Sequence, residues 1–192
     1  MKVVAINGSA RKDGNTAILL NLVLGEVQAE NIETEMIQLA GERISGCIAC
    51  YQCMKTKDHR CAVQTDRVND YLEKMREAEG ILMGSPTYIA DVTASLKAIL
   101  ERATIVCRAN GGDMFKRKAG ASIVAVRRAG AIQAFNGMNA FFLINQMIVV
   151  GSSYWNVGIG RNVGEVNSDL EGVQTMKALG QNMAWVLKKI NR

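Results

Sequence analysis

Four of the chain's five cysteines fall in one short stretch, Cys47-Ile-Ala-Cys50-Tyr-Gln-Cys53 followed by Cys61. Core packing gives no reason for thiols to be placed that way, so the spacing reads as a ligand set. A C-x2-C-x2-C run bends one segment around a single centre, and the loop Met54 to Arg60 lets a fourth thiolate return to it. Iron-sulfur clusters are held by four cysteines in such runs, whereas structural zinc sites more often pair two separated C-x2-C knuckles. The pattern therefore favours a cluster over zinc. Lys55, Lys57 and Arg60 in the return loop would offset the negative charge of a thiolate-bound cluster and ease its reduction. Reduced thiols, some packed as small apolar side chains and some exposed, are the plain alternative.

A second group of chemistry-bearing residues follows the first apolar run: Asn7-Gly-Ser-Ala-Arg-Lys-Asp-Gly-Asn-Thr16. Gly8 and Gly14 permit tight turns, and Ser9, Asn15 and Thr16 offer side-chain donors. A helix starting there would add free N–H groups and the positive end of its dipole. A phosphate suits such a loop. Neither nucleotide fingerprint is present, because five residues rather than four separate the two glycines, Asn15 stands where a P-loop has lysine, and G-x-G-x-x-G is absent. The alternative is an unliganded strand-to-helix turn capped by Ser, Asn or Thr.

The elements that must carry these loops are visible as apolar runs. Val3 to Ile6, Ile81 to Met83, Ile123 to Val126 and Ile148 to Val150 do not alternate, as expected of parallel strands covered on both faces. Glu33 to Leu39 is closer to alternation and carries charge, which predicts an edge strand. Stretches of helical length lie between and after them, at Thr16 to Glu30, Asp66 to Glu77, Ala94 to Ala103, Ile132 to Gln146 and Leu170 to Lys189. Strands alternating with helices predict a doubly wound α/β fold, and the edge-like second strand favours a five-stranded parallel sheet in the order 2-1-3-4-5. In such sheets ligands bind beyond the carboxyl ends of the strands. The first loop, Gly84 to Ala90, and Val126 to Gly130 would then share one edge.

At 192 residues one domain is expected, spanning 1–192 with a Cys-rich insertion at about 45–63, and a chain of this size buries roughly 70% of its unfolded surface without disulfides. The clustered thiols suit a reducing, cytoplasmic setting. No targeting segment is expected, since the opening apolar run is too short for a signal-peptide core. The longest apolar region, Ala140 to Val150, includes Asn145 and Gln146 and falls short of the ~20 residues of a membrane helix. Net charge is +5, which would suit phosphate ligands. Nucleic acid is not expected, because the basic groups Lys116 to Lys118, Arg127-Arg128 and Lys188-Lys189 have no interleaved aromatics and aromatics make up only 5% of the chain.

Taken together, the first loop, the Cys block, Ser85-Pro-Thr-Tyr88 with Leu96-Lys97, and Gly151-Ser-Ser-Tyr-Trp155 resemble the flavodoxin-like NAD(P)H-dependent FMN reductases, and within them the iron-sulfur flavoproteins. The match spans nearly the whole chain. The resemblance implies that Ser9, Arg11, Asn15 and Thr16 hold the FMN phosphate. It implies that Pro86, Thr87, Tyr88, Ile89 and Ala90 lie along the isoalloxazine, with Ser85 a further cofactor contact and Tyr88 near the ring. Arg127, Arg128, Ala129 and Gly130 match the loop that approaches the pyrimidine edge, although Ala129 and Ala131 stand where glycine is frequent. Cys47, Cys50, Cys53 and Cys61 resemble the compact motif that holds a [4Fe-4S] cluster near a dimer interface. A homodimer or homotetramer is implied.

The function expected is an FMN-dependent oxidoreductase of the iron-sulfur flavoprotein type. It would take electrons from NAD(P)H or a redox protein and pass them to a small-molecule or protein acceptor, with no catalytic side chain because FMN carries the chemistry. One alternative is an NAD(P)H-dependent FMN, quinone or azo reductase without a cluster. Another is a non-catalytic, zinc-stabilised flavodoxin-like binding module. Of the remaining residues, His59 is expected to face solvent, Cys107 to be a buried small side chain, Glu101-Arg102 to lie on a solvated helix face, and Tyr154 and Trp155 to pack or form an interface.

Overall fold

A computed structural model describes residues 1–191. Strands β1 (Lys2–Asn7), β2 (Glu33–Gln38), β3 (Gly80–Pro86) and β4 (Ala119–Val126) pair in parallel, and β5 (Ile148–Val149) completes the order β2-β1-β3-β4-β5. The non-alternating runs are buried on both faces. Val3 and Ala5 pack with α1 (Asn15–Ala29) and α6 (Leu170–Ile190), while Val4 and Ile6 pack with α3 (Val68–Glu77), α4 (Ala94–Ala109) and α5 (Ala131–Ile144). Each strand thus supplies two cores at its two-residue period. In β2 only Ile37 is fully buried, consistent with an edge.

The fifth strand differs from the continuous apolar strand expected. β5 pairs only with Ala119 and Gly120, and its two residues are each 38% exposed. A separate β6 (Val157–Ile159) pairs with Val124 to Val126 further along β4. Between them the chain leaves the sheet at Gly151 to Trp155 and returns through buried Asn156, whose side-chain amide donates to the Ser122 carbonyl while its own carbonyl accepts from Val124. The consequence is functional, because β6 delivers a loop from Gly160 to the carboxyl edge.

The segment between β2 and α3 holds only one short helix, α2 (Cys53–Thr56), and otherwise runs without regular structure. Non-glycine residues at positive φ, Ala49, Tyr51, Lys57 and His59, fold it back on itself. Among the described residues no helix is long and apolar enough to cross a membrane.

Candidate functional site

The four loops at the carboxyl ends of the central strands enclose a cavity of about 240 Å³. Ser9, Arg11, Asn15, Thr16, Pro86, Thr87, Tyr88 and Arg127 line it, so most of the expected FMN contacts are brought together. The cap of α1 is Gly14, with no side-chain hydrogen bond, contrary to a Ser, Asn or Thr cap. The first N–H groups of the helix therefore remain available at the cavity, as anion binding requires. The loop is held from behind: Ser9 Oγ accepts from the Arg11 backbone N–H at 3.1 Å, and Asn7 Oδ1 accepts from Ser9 at 3.0 Å.

Two lining residues, Gly160 and Arg161, were not found in the sequence. They follow β6, whose three residues gave no apolar run long enough to read. A Cβ at Gly160 would lie 2.8 Å from the Val166 backbone nitrogen and 2.9 Å from Asn15 Nδ2, so only glycine allows this approach. Asn15 ties the loop down, donating to the Asn162 carbonyl and accepting from Gly164 N–H, each at 2.9 Å. Its side chain thus serves the frame of the cavity as well as its lining. Glu165 accepts from Arg161 and Asn162 N–H. These hydrogen bonds, Asn162 first, hold its carboxyl below the usual range. Arg11, Arg127 and Arg161 give the cavity three cations.

Other expected contacts lie elsewhere. Ser85 is fully buried, donating to the Pro86 carbonyl and accepting from Thr93 N–H at 3.1 Å, so it braces the loop. Thr93, the cap of α4, donates to the Gly8 carbonyl at 2.7 Å and joins the first and third loops. Ile89 and Ala90, both at positive φ, form a two-residue turn closed by the reciprocal Tyr88 and Asp91 backbone hydrogen bonds. The Ile89 side chain points into solvent at 99% exposure. Gly130, at φ +84, packs on Ala90 and Thr87; neither it nor Ala129 lines the cavity. Arg128 faces a neighbouring cavity of about 190 Å³ with Tyr154 and Trp155. The arrangement fits FMN, because three cations and the N-terminus of α1 line one cavity, and Thr87 Oγ1, buried without a partner, remains free for a polar ligand.

The cysteine quartet converges too. Cys47, Cys50, Cys53 and Cys61 line one small cavity together with Arg102. Burial first, then the neighbouring Cys61, Cys50 and Cys47, push the Cys53 thiol up. Among the described residues no three His, Cys, Asp or Glu side chains are arranged to hold a single metal ion. The donor set suits a polynuclear cluster, in which each thiolate takes its own iron. The free space is about 20 Å³, near one water's worth, and the Ile48 to Tyr51 stretch beside it is exposed.

Arg102 is the cavity-lining residue most clearly misread in sequence. Its side chain is 0% exposed, not solvated, and pairs with Asp66, 3% exposed, at 2.6 Å. Burial raises the Asp66 pKa, but the Arg102 hydrogen bond and charge and the Val68 N–H outweigh it and hold the carboxyl below the usual range. The signal was available, since Arg102 occupies the same helical stripe as Ile99, Ala103 and Val106. His59 is half-buried rather than solvent-facing, with Nδ1 buried and unpartnered. Cys107 is buried, as expected.

A family model described as NADPH-dependent FMN reductase matches residues 1–162. An iron-sulfur flavoprotein of Methanocaldococcus jannaschii is 36% identical over 199 aligned positions, which take in all of both chains. An iron-sulfur flavoprotein of Methanosarcina thermophila is 30% identical over 192 positions, covering 100% of this chain and 98% of that one. RosB with bound 8-demethyl-8-formylriboflavin-5′-phosphate superposes with a TM-score of 0.77 at 18% identity, covering 100% of this chain and 80% of that one. A flavodoxin from the domain Archaea gives a TM-score of 0.64 at 16% identity, covering 98% and 99%. Identities that low show the fold alone, which is flavodoxin-like.

Proposed function

Because this chain belongs to the NADPH-dependent FMN reductase family and is an FMN-dependent oxidoreductase, we propose that it also carries an iron-sulfur cluster on Cys47, Cys50, Cys53 and Cys61. The cluster would pass electrons one at a time to an acceptor. The observation that carries this reading is the convergence of all four thiols, with a buried guanidinium, on one cavity. The relatives named iron-sulfur flavoproteins support it. FMN, when bound, accepts two electrons and releases them singly or as hydride, and a cluster relays single electrons.

The chain's own residues bind and orient. Thr16 and the first N–H groups of α1, with Arg11, Arg127 and Arg161, hold the phosphate of FMN. Pro86, Thr87 and Tyr88 shape the wall beside it. NAD(P)H is the proposed donor, and a one-electron carrier the proposed acceptor. A cytoplasmic setting belongs to the same proposal, since four thiols must stay reduced to ligate iron. So does a homodimer or homotetramer, supported by an apolar groove of about 590 Å³ between α4 and α5 beside Cys47.

Replacing Cys50 by Ser tests the relay. FMN content is expected to be unchanged, because the phosphate loop lies elsewhere in the chain. NADPH-driven reduction of a one-electron acceptor should fall while two-electron reduction of a quinone persists. Wild-type rates with both acceptors would overturn the reading. Tyr88 tests the flavin's placement. Tyr88→Ala should brighten the bound flavin, since an aromatic beside the ring quenches it and such a pair contributes about 0.5 to 1.5 kcal/mol. Unchanged fluorescence and turnover would put the ring away from Tyr88.

A further inference from the structure

Buried Arg102 has more donors than the fold uses. One terminal nitrogen donates to Asp66 at 2.6 Å and to the Ser45 carbonyl at 3.3 Å, and the other donates to the Val63 carbonyl at 3.0 Å. Ser45 and Val63 flank the cysteine segment at its two ends, so one guanidinium closes the loop that carries all four thiols. A planar fork with five N–H groups reaches all three acceptors and still has its Nε–H to spare, whereas an ammonium has no donor beyond the three those acceptors take. The remaining nitrogen, Nε, is buried and has no partner. Buried donors are rarely left unpaired, so an orphan of this kind asks for an acceptor.

The cavity that Arg102 lines offers sulfur as its side-chain acceptor, apart from the hydroxyl of the exposed Tyr51. The rest of the lining is apolar, with Ile48, Ala62, Ile105 and Val106. Asp66 largely cancels the long-range charge of Arg102, which leaves the local hydrogen bond as its main effect on anything bound there. Resting on the proposed cluster, we propose that Arg102 is a positioning residue that sets the cluster's potential: its Nε–H donates to a cluster sulfur while its terminal nitrogens hold the segment's ends. Reduction adds one electron, whose charge is shared by the sulfurs. An N–H donor to sulfur therefore stabilises the reduced state more than the oxidised state and raises the potential.

The test is an anaerobic redox titration of the FMN- and cluster-loaded protein, following the cluster by EPR and the flavin by absorbance. Arg102→Lys keeps a cation beside Asp66 and removes Nε. Expected are retained iron and sulfide, an unmoved flavin potential, and an about tenfold weaker one-electron reduction of the cluster. That is the order of one hydrogen bond to a charged acceptor, and it equals a fall of about 59 mV. A role in loop anchoring alone would not move the potential of a cluster that is still bound. Retained iron with an unchanged potential overturns the proposal and leaves the cluster reading standing. Wild-type protein without iron and sulfide removes the cluster reading, and this inference with it. Where Arg102→Lys does not hold iron, pulsed EPR of the reduced wild type grown with 15N-arginine decides. A hyperfine coupling from an arginine nitrogen is expected, and its absence overturns the proposal.

Discussion

Arg102→Met is expected to lower the unfolding free energy by about 3 to 5 kcal/mol at neutral pH, the usual loss when one partner of a buried ion pair is removed. Arg102 and Asp66 are both almost wholly buried. Truncation leaves an uncompensated carboxylate as well as the Ser45 and Val63 carbonyls without their donor. The pH dependence follows from the depressed Asp66 pKa. A carboxyl whose folded pKa lies below its unfolded value, about 3.9, stabilises fully above that value and stops doing so as pH falls through the folded one. The wild type should therefore lose the pair's contribution below about pH 4, and the gap to Arg102→Met should begin to narrow at higher pH, where the variant's unpaired buried carboxylate takes up a proton. Adding Asp66→Leu should recover part of the loss, because an apolar pair carries no stranded charge. Urea unfolding at fixed FMN concentration measures all three proteins. A loss under about 1 kcal/mol would mean that the pair behaves as a solvated surface bridge.

FMN affinity should fall up to about a hundredfold in Thr16→Ala and about tenfold in Arg161→Ala, from hydrogen bonds to a charged phosphate of about 1.5 to 3 kcal/mol. Thr16 is buried at the first turn of α1, where water competes little. Arg161 is exposed, so its smaller effect should shrink further with added salt. Arg11→Ala and Arg127→Ala should resemble Arg161→Ala. Arg128→Ala supplies the control, since Arg128 lines the adjoining cavity and its loss should leave affinity unchanged. Titration of apoprotein with FMN, read by quenching of flavin emission, gives each dissociation constant. Equal loss in Arg127→Ala and Arg128→Ala would contradict the placement of the loop after β4.

The sheet order was legible because four of its strands declare themselves locally, three by unbroken apolar runs and the edge by charge at alternate positions. The split fifth strand was not. Ile148 to Val150 looks like a buried strand, yet the chain leaves the sheet after Val149 and rejoins the same neighbour, β4, at Asn156, which reaches Ser122, a contact with no local signature. Gly160 and Arg161 were missed for the same reason, since their role depends on where β6 ends. The loop proposed to hold the phosphate was picked out by composition and position together, and it does line the cavity at the carboxyl edge. Ser85 was misassigned because its neighbours Pro86 to Tyr88 line the cavity while its own side chain turns back to Thr93. Arg102 was misread beside Glu101 as a surface pair, although its register on α4 placed it inward. Only the fold shows what it reaches, on segments 36 to 57 residues away in sequence.

The most direct measurement is the metal and flavin content of protein purified without air. Iron, acid-labile sulfide and FMN would be determined on one sample with its absorption spectrum, for wild type and Cys50→Ser. Wild type should carry about four irons and four sulfides per FMN, the content of one [4Fe-4S] cluster on four cysteines, with broad absorbance beneath the flavin bands. Cys50→Ser should lose iron and sulfide together and keep its FMN. Flavin bands alone in anaerobic wild-type protein, or equal iron in the two proteins, would contradict the cluster and leave a flavin reductase whose four cysteines hold no iron.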